Sequence, residues 1–502
     1  MKQMKLSEII YENEYTSINL KDDIDIAGIS TDTRKKTENC IFVCLRGVNR
    51  DSHDLISAAV SIGAAAIVVE EGHKISEEFS VPILVVKDPR KMLAFMWARY
   101  CGSPQNKMRF CGVTGTNGKT STSEMIYRAL IKEGIKCAFI GTGKVLFDGK
   151  TFSAPSIPEK NTMTTPDPEV LYPTLAALYK CGCERVVMEV SSHALFYDKV
   201  APIEYDLALF TNLSPEHLDF HGDMENYFKC KLKLFKNAKC GIINCDDKYA
   251  DRIIKESGCK IIRCGIVWDS EICAKSIEAN SLDGISYLYS TPKVKFIVKM
   301  KIPGIFSVYN SLLALSAAIY WGVSPKNARE ALSEIEYIDG RMEKIIKDGI
   351  TVIIDYAHTE EALKNLLNVA VTSKRPGTRI ITVFGCGGNR DTGKRSKMGK
   401  VSETLSDFTI ITSDNPRNEP PSNIIRDILE GFSDSEKRCV ITNRRKAIIK
   451  AIETANRGDV VIIAGKGHER YQWDSQGIHD FDEREVIDEA FRLKENGDKN
   501  EN

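Results

Sequence analysis

The chain has 502 residues, of which 42% are hydrophobic and 27% charged. At roughly 150 residues per domain it has room for about two to four domains, which excludes a small disulfide-stapled scaffold; the composition also excludes collagen-like, coiled-coil and wholly disordered chains. Sixty-nine Lys+Arg against 69 Asp+Glu leave no net charge, so no global field draws the chain to nucleic acid or an anionic membrane, and any polyanion site must be local.

The chain starts MKQMKLSEIIYENEY, without the apolar run of a signal peptide. Fifteen cysteines are an odd number and none forms a C-x-x-C pair, so free thiols in a reducing cytoplasm are expected. Residues 1–105 carry one helix-like segment, LISAAVSIGAA, running into AIVVEE and PILVV, and read as a small α/β domain closed by the linker SPQNK.

From 106 onward, apolar runs of strand length recur, each with a polar or Gly-rich turn after it and a helix-like segment beyond. They are MRFCGV (108–113), ERVVMEV (184–190), DLALFTN (206–212), CGIIN (240–244), TVIID (351–355), RIITVFG (379–385), FTIITSD (408–414) and DVVIIAG (459–465). Continuous Val/Ile runs suit parallel strands buried on both faces. Two blocks of them, divided near Gly340, predict two doubly wound domains at 106–340 and 341–502. Alternation in 265–300 predicts a hairpin excursion. From Ile302 to Pro325 no charge appears, but Pro303, Gly304, Asn310 and four Ser favour a buried helix near 311–321 over a membrane span. The last eleven residues, RLKENGDKNEN, read as a frayed tail.

Ligands in open parallel sheets bind beyond the carboxyl ends of the strands. After MRFCGV comes Thr114-Gly115-Thr116-Asn117-Gly118-Lys119-Thr120 and then a helix, which reads as a phosphate loop. Its glycines admit backbone N–H groups to an anion, Lys119 supplies charge and Thr120 a Mg2+ ligand. The strict pattern misses at Val113, where its first Gly would stand. Glu189 closes ERVVMEV as a Mg2+ ligand or as a buried, hydrogen-bonded acid. The loop Leu213 to Gly222 (LSPEHLDFHG) is a metal site or a solvated turn, with zinc disfavoured for want of cysteines at ligand spacing.

In order, TGTNGKTST, MEVSSHAL, FTNLSPEHLDFHG, YFKCKLKLF, the Asn310 helix, DGRME, IIDYAHTEEAL, VFGCGGNRDTGKR, SDNPRNEPP and AGKGHERYQ resemble the Mur ligase family, from about Ser30 to about Glu485. The resemblance implies three α/β domains: a UDP-sugar-binding N-terminal domain, a central phosphate-loop ATPase-like domain with a parallel sheet, and a Rossmann-like C-terminal domain that binds the amino acid. It implies an ATP-dependent ligase of peptidoglycan precursor synthesis, in which a carboxylate is phosphorylated and an amine attacks the acyl phosphate. ATP contacts would be Gly115, Thr116, Asn117, Gly118, Lys119, Thr120, Asn310, Arg341 and Asp355. Metal ligands would be Thr120, Glu189, His217 and Lys231, the last as a carbamate formed with carbon dioxide; Lys119, Lys231, His217, Glu189 and His358 would be catalytic. Ser30, Thr33, Thr164, Thr165, Ser191, Tyr197 and Lys199 match contacts to a UDP-MurNAc-dipeptide. Asp414-Asn415-Pro416-Arg417, with Arg390, Gly465 and Glu469, matches the branch that adds meso-2,6-diaminopimelate, where Arg417 suits a bidentate grip on the distal carboxylate. Lys199, Tyr197, Ser307, Asn389 and Glu360 depart from the usual family pattern and leave the acceptor less defined than the reaction. L-lysine addition or another acceptor is the competing reading; a nucleotide switch has no use for Lys231, and a dehydrogenase lacks G-x-G-x-x-G. A cytoplasmic monomer with small-molecule substrates, no nucleic acid and no membrane is expected.

Overall fold

The computed structural model describes residues 3–500 except 36–37, 48–49, 76–78, 159–162 and 268–269. Three α/β units follow one another along the chain. In the first, five strands lie in the order Thr16–Ile18, Ile83–Val86, Ala66–Glu70, Cys40–Val43, Gly28–Ser30, parallel except for the first. The helix Pro89–Tyr100 follows; sequence reading passed over it, although Asp88 caps Lys91 N at 3.0 Å and Pro89 opens the first turn.

The central sheet has eleven strands. The phosphate-loop strand Arg109–Thr114 lies in its middle, between Arg185–Glu189 and Tyr205–Phe210, all parallel. Register sets Glu189 beside Val113 and Phe210 beside Thr114, so three polar turns emerge side by side. These strands are buried on both faces, as Val186, Val187 and Met188 at 0% exposure show, and that is why their sequence reads as unbroken hydrophobic runs. The predicted hairpin is a three-stranded antiparallel meander, Ile272–Ser281, Gly284–Ser290 and Lys295–Met300, that continues this sheet. The uncharged stretch forms a helix, Ile305–Tyr320, which starts earlier than expected because Pro303 and Gly304 precede its first turn instead of interrupting it. Its long buried face packs against the phosphate-loop helix Lys119–Lys132. No described helix is long and apolar enough to cross a membrane.

The third unit has six strands in the order Glu343–Lys347, Ile350–Asp355, Val460–Ala464, Ile380–Phe384, Phe408–Ile411, Arg438–Val440, parallel except for the first. The expected frayed tail is instead part of a helix, Glu483–Asn500; Glu501 and Asn502 lie outside the described residues. Val486, Ile487, Ala490 and Phe491 bury its apolar face, and Lys494 Nζ donates to the carbonyls of Glu453 and Ala455 at 2.8 Å each.

Candidate active site

The loop after Arg109–Thr114 turns through two glycines at positive φ, Gly115 at 151° and Gly118 at 84°. A Cβ on Gly118 would overlap Asn310 Oδ1, so the amide of Asn310 rests directly on the loop. Asn117 is fixed by Asn212, whose Oδ1 accepts from Asn117 N at 2.9 Å and whose Nδ2 donates to Asn117 O at 3.0 Å; Thr211 Oγ1 donates to the same carbonyl at 2.6 Å. Thr116 Oγ1 donates to Ser214 O at 3.1 Å. Sequence reading did not single out Thr211 and Asn212, which follow the neighbouring strand Tyr205–Phe210. Their only signal was that position.

Two lysines converge on one carbonyl here. Lys119 Nζ donates to Gly115 O at 3.0 Å and Thr116 O at 2.8 Å, and Lys231 Nζ donates to Gly115 O at 2.9 Å. Lys231 is 2% exposed, on the inner face of Met224–Lys236, with its amine 4.5 Å from the centre of the Tyr227 ring. Burial, and then the charge of Lys119, push its ammonium well below its ordinary range. Burial lowers Lys119 too, against the pull of Glu216 and Glu189.

Glu189 is fully buried and accepts from Thr120 Oγ1 at 3.0 Å and Thr142 N at 2.9 Å. The structure shows the second alternative, a buried, hydrogen-bonded acid, and places it against Thr120. Their hydroxyl and carboxylate oxygens are hard donors of the kind Mg2+ prefers. Lys231 as an ammonium does not suit a cation, whereas a carbamate there would. Among the described residues no group of three His, Cys, Asp or Glu gathers at metal-holding spacing.

The 213–222 loop is not a solvated turn. Glu216 is buried and accepts from His358 Nε2, across from the third unit, at 2.7 Å. Burial alone would raise Glu216, yet His217, His358 and Lys119 carry it well below the usual carboxylate range. His217 sits at φ 57°, 3.8 Å from Glu216 Oε2, with burial pushing its imidazole down to about 4. His221 Nε2 lies 3.0 Å from Ser192 Oγ. Glu216 was visible as a loop acid, but its partner is 142 residues away in sequence.

A cavity of about 350 Å³ opens beside the loop, lined by Asn117, Gly118, Thr120, Asn310, Arg341 and Asp355 among others. Arg341 Nη2 reaches Thr120 Oγ1 at 3.4 Å, and its buried Nε has no partner. Asp355 accepts from Met342 N and Ala357 N at 2.8 Å each, fixing the turn that carries Arg341.

A second cavity, of about 180 Å³, is lined by Glu216, His217, His358, Arg390, Asp414, Asn415, Arg417, Gly465 and Glu469. Arg417, at φ 54°, donates through Nη1 to Gly388 O at 2.9 Å, while its buried Nε is unpartnered. Burial and Arg390 lower its guanidinium. Asn415 Oδ1 takes Lys466 Nζ at 2.9 Å and Trp473 N at 3.0 Å, which turns Asn415 Nδ2 to Glu469 Oε2 at 2.7 Å. Lys466, wholly buried and unread in the sequence, also reaches Glu469 Oε2 at 3.2 Å. Gly465, at φ 118°, has Asp414 where a side chain would stand, and Pro416 O fills the space over Gly388 in the same way.

The residues matched to a sugar nucleotide are divided between two units, with Thr164, Thr165 and Ser191 gathered on the central one. Thr165 Oγ1 donates to Glu189 O at 2.9 Å and accepts from Ser191 N at 3.0 Å, and Thr164 Oγ1 is 3.2 Å from Thr142 Oγ1. The two residues that begin NTMTTPDP are outside the described residues. Lys199 pairs with Asp167 at 2.6 Å, and Tyr197 lies under Arg90 at 4.4 Å. Ser30 and Thr33 lie on the first unit, at the end of Gly28–Ser30; Lys35, just beyond them, pairs with Glu169 of the central unit at 3.0 Å. No hydrogen bond in the structure brings Ser30 or Thr33 to Thr164, Thr165 or Ser191 among the described residues.

A phosphate-loop sheet and a second α/β sheet that share a two-chambered cleft define a nucleotide-dependent enzyme class, and sequence and structure comparisons agree on which. Residues 113–318 match the Mur ligase middle domain and residues 340–467 the Mur ligase, glutamate ligase domain. The chain is 39% identical over 494 residues to the UDP-N-acetylmuramoyl-L-alanyl-D-glutamate–2,6-diaminopimelate ligase of Clostridioides difficile (strain 630), covering 97% of this chain and 99% of the relative. It is 38% identical to the ligase of the same name from Syntrophomonas wolfei, covering 98% and 100%. A solved structure of a ligase with that name superposes with a TM-score of 0.67 at 29% identity, covering 98% of this chain and all of the other. The chain belongs to the Mur ligase family.

Proposed function

We propose that the protein is an ATP-dependent ligase that adds meso-2,6-diaminopimelate to UDP-N-acetylmuramoyl-L-alanyl-D-glutamate in cytoplasmic peptidoglycan precursor synthesis, acting as a monomer on small molecules. Residues 1–105 would take the sugar nucleotide, 106–340 ATP and 341–502 the amino acid. The observation that carries this reading is the smaller cavity: it pairs a half-buried guanidinium that has a buried, unused Nε–H, Arg417, with a carboxylate, Glu469, and shares Glu216 and His217 with the surroundings of the phosphate loop. That is complementary to a zwitterion with a carboxylate and an ammonium at one end, and an Arg facing lysine's lone ammonium would be repulsive.

Backbone N–H groups of residues 115–120 and Lys119 grip the β- and γ-phosphates, Asn310 meets the adenine, and Arg341 and Asp355 close on the nucleotide from the third unit. Ser30 and Thr33 hold the uridine end of the acceptor, while Thr164, Thr165, Ser191, Tyr197 and Lys199 hold its peptide end. The acceptor carboxylate attacks the γ-phosphorus and ADP leaves; the diaminopimelate amine then attacks the acyl carbon and phosphate leaves. Arg390, Asp414, Asn415, Pro416, Arg417, Gly465 and Glu469 orient that amine. The joined units exclude water, which would otherwise hydrolyse the acyl phosphate.

Thr120 and Glu189 would hold one Mg2+, and His217 and a carbamate on Lys231 a second. Bound there, Mg2+ supplies positive charge against the transferring phosphoryl group. The depressed Lys231 supports this reading, because only an uncharged amine adds to carbon dioxide. His358 steadies Glu216 beside His217.

Phosphate release from ATP, measured over a panel of amino acids, tests the assignment. Release is expected only with both the UDP-MurNAc-dipeptide and meso-diaminopimelate; equal or faster turnover with L-lysine would overturn it in favour of lysine addition.

A further inference from the structure

Three stretches of backbone meet behind the cleft. Gly340, at φ 64°, is the joint between the second and third units; a Cβ there would overlap the backbone of Gly467 and His468. Gly467, at φ 54°, leaves no room for a Cβ against Gly340 O and Tyr356. Tyr356 N donates to Gly340 O at 3.0 Å, so Tyr356 is locked to the residue before Arg341.

The Arg341 guanidinium lies 4.4 Å from the centre of the Tyr356 ring. That ring is packed in turn by His468 at 4.9 Å and His358 at 4.7 Å. Among the described residues the Arg341 guanidinium makes one long hydrogen bond, to Thr120 Oγ1, and its buried Nε has no acceptor. An arginine this poorly tethered at its tip is aimed by what its flat face rests on. Tyr356 also lines both cavities.

We propose that Tyr356 is a positioning residue whose ring holds the Arg341 guanidinium at the phosphate-loop end of the nucleotide cavity. The inference rests on the nucleotide reading of that cavity and extends it from Arg341 to the side chain behind it. Tyr356 acts through Arg341 and need not touch the nucleotide.

ADP binding, measured by calorimetry on the full chain, provides the test. Tyr356→Phe keeps the ring and should bind ADP within about twofold of the unchanged protein. Tyr356→Leu should weaken binding roughly 2- to 30-fold, the span of a half-buried cation–π contact. Placing pentafluorophenylalanine at Tyr356 preserves shape and packing but reverses the ring's quadrupole, so it should weaken binding as Leu does even if the Leu variant folds poorly. In an Arg341→Met background all three replacements should bind alike. Equal affinity for the phenylalanine and pentafluorophenylalanine proteins, or additive losses in the double variants, would overturn the inference while leaving the nucleotide site intact. Undiminished ADP binding by Arg341→Met alone would overturn the role of Arg341 and the inference with it.

Discussion

Lys231 and Lys466 are both sealed from solvent, at 2% and 0% exposure, yet their surroundings treat the charge in opposite ways. Lys231 has a carbonyl and an aromatic face for partners and another lysine for a neighbour. Lys466 has the carboxylate of Glu469 and the amide oxygen of Asn415. The first environment disfavours the ammonium form; the second gives the amine two side-chain acceptors, and so orients two side chains of the amino-acid cavity. Burial alone does not decide what a lysine is for. Its partners do.

Four measurements would break or sharpen that contrast. Lys466→Met takes the paired ammonium from Glu469 and should cost about 3–5 kcal/mol in urea unfolding, whereas Lys231→Met, which removes an amine with no carboxylate partner, should cost under about 1 kcal/mol; equal losses would end the comparison. In turnover, Lys231→Ala should lower kcat by about 10²–10³ and recover in part with short carboxylic acids, and full activity would remove the carbamate from the mechanism. Arg417→Ala should raise the KM for diaminopimelate about 10- to 100-fold while that for ATP stays within about twofold; equal rises would argue against its role in that cavity. Lys199→Arg, at an ion pair nearer the surface, should shift acceptor affinity by less than about 1 kcal/mol, and a larger change would mean that this departure from the family pattern sets acceptor choice.

The parallel strands were legible because both of their faces are buried, and each predicted run lies within a residue or two of the strand observed except FTIITSD, which runs three residues past Ile411. The polar turn after each run pointed to Thr120, Glu189 and His217 for the same reason. What stayed hidden depends on partners distant in sequence. Glu216 needed His358, and Lys466 needed Asn415. The helix Pro89–Tyr100 escaped for a different cause: its apolar residues, Met92 to Ala98, form one unbroken run with no helical period, and only the Asp88-Pro89 start marks it. The end of the C-terminal helix, from Arg492, was mistaken for a tail because its anchor, Lys494, looks like any solvated lysine until the carbonyls of Glu453 and Ala455 are in place.

The contact between Gly340 and Gly467 is a seam of shape with no charge in it. Salt that loosens the neighbouring pairs of Arg484 with Asp339 and Glu343 has nothing to screen there. In the currency of inheritance, the seam has no conservative replacement, since alanine, the smallest step available, already collides. Surface charges around it are free to drift over generations, while these two positions can change only if the backbones they separate move together.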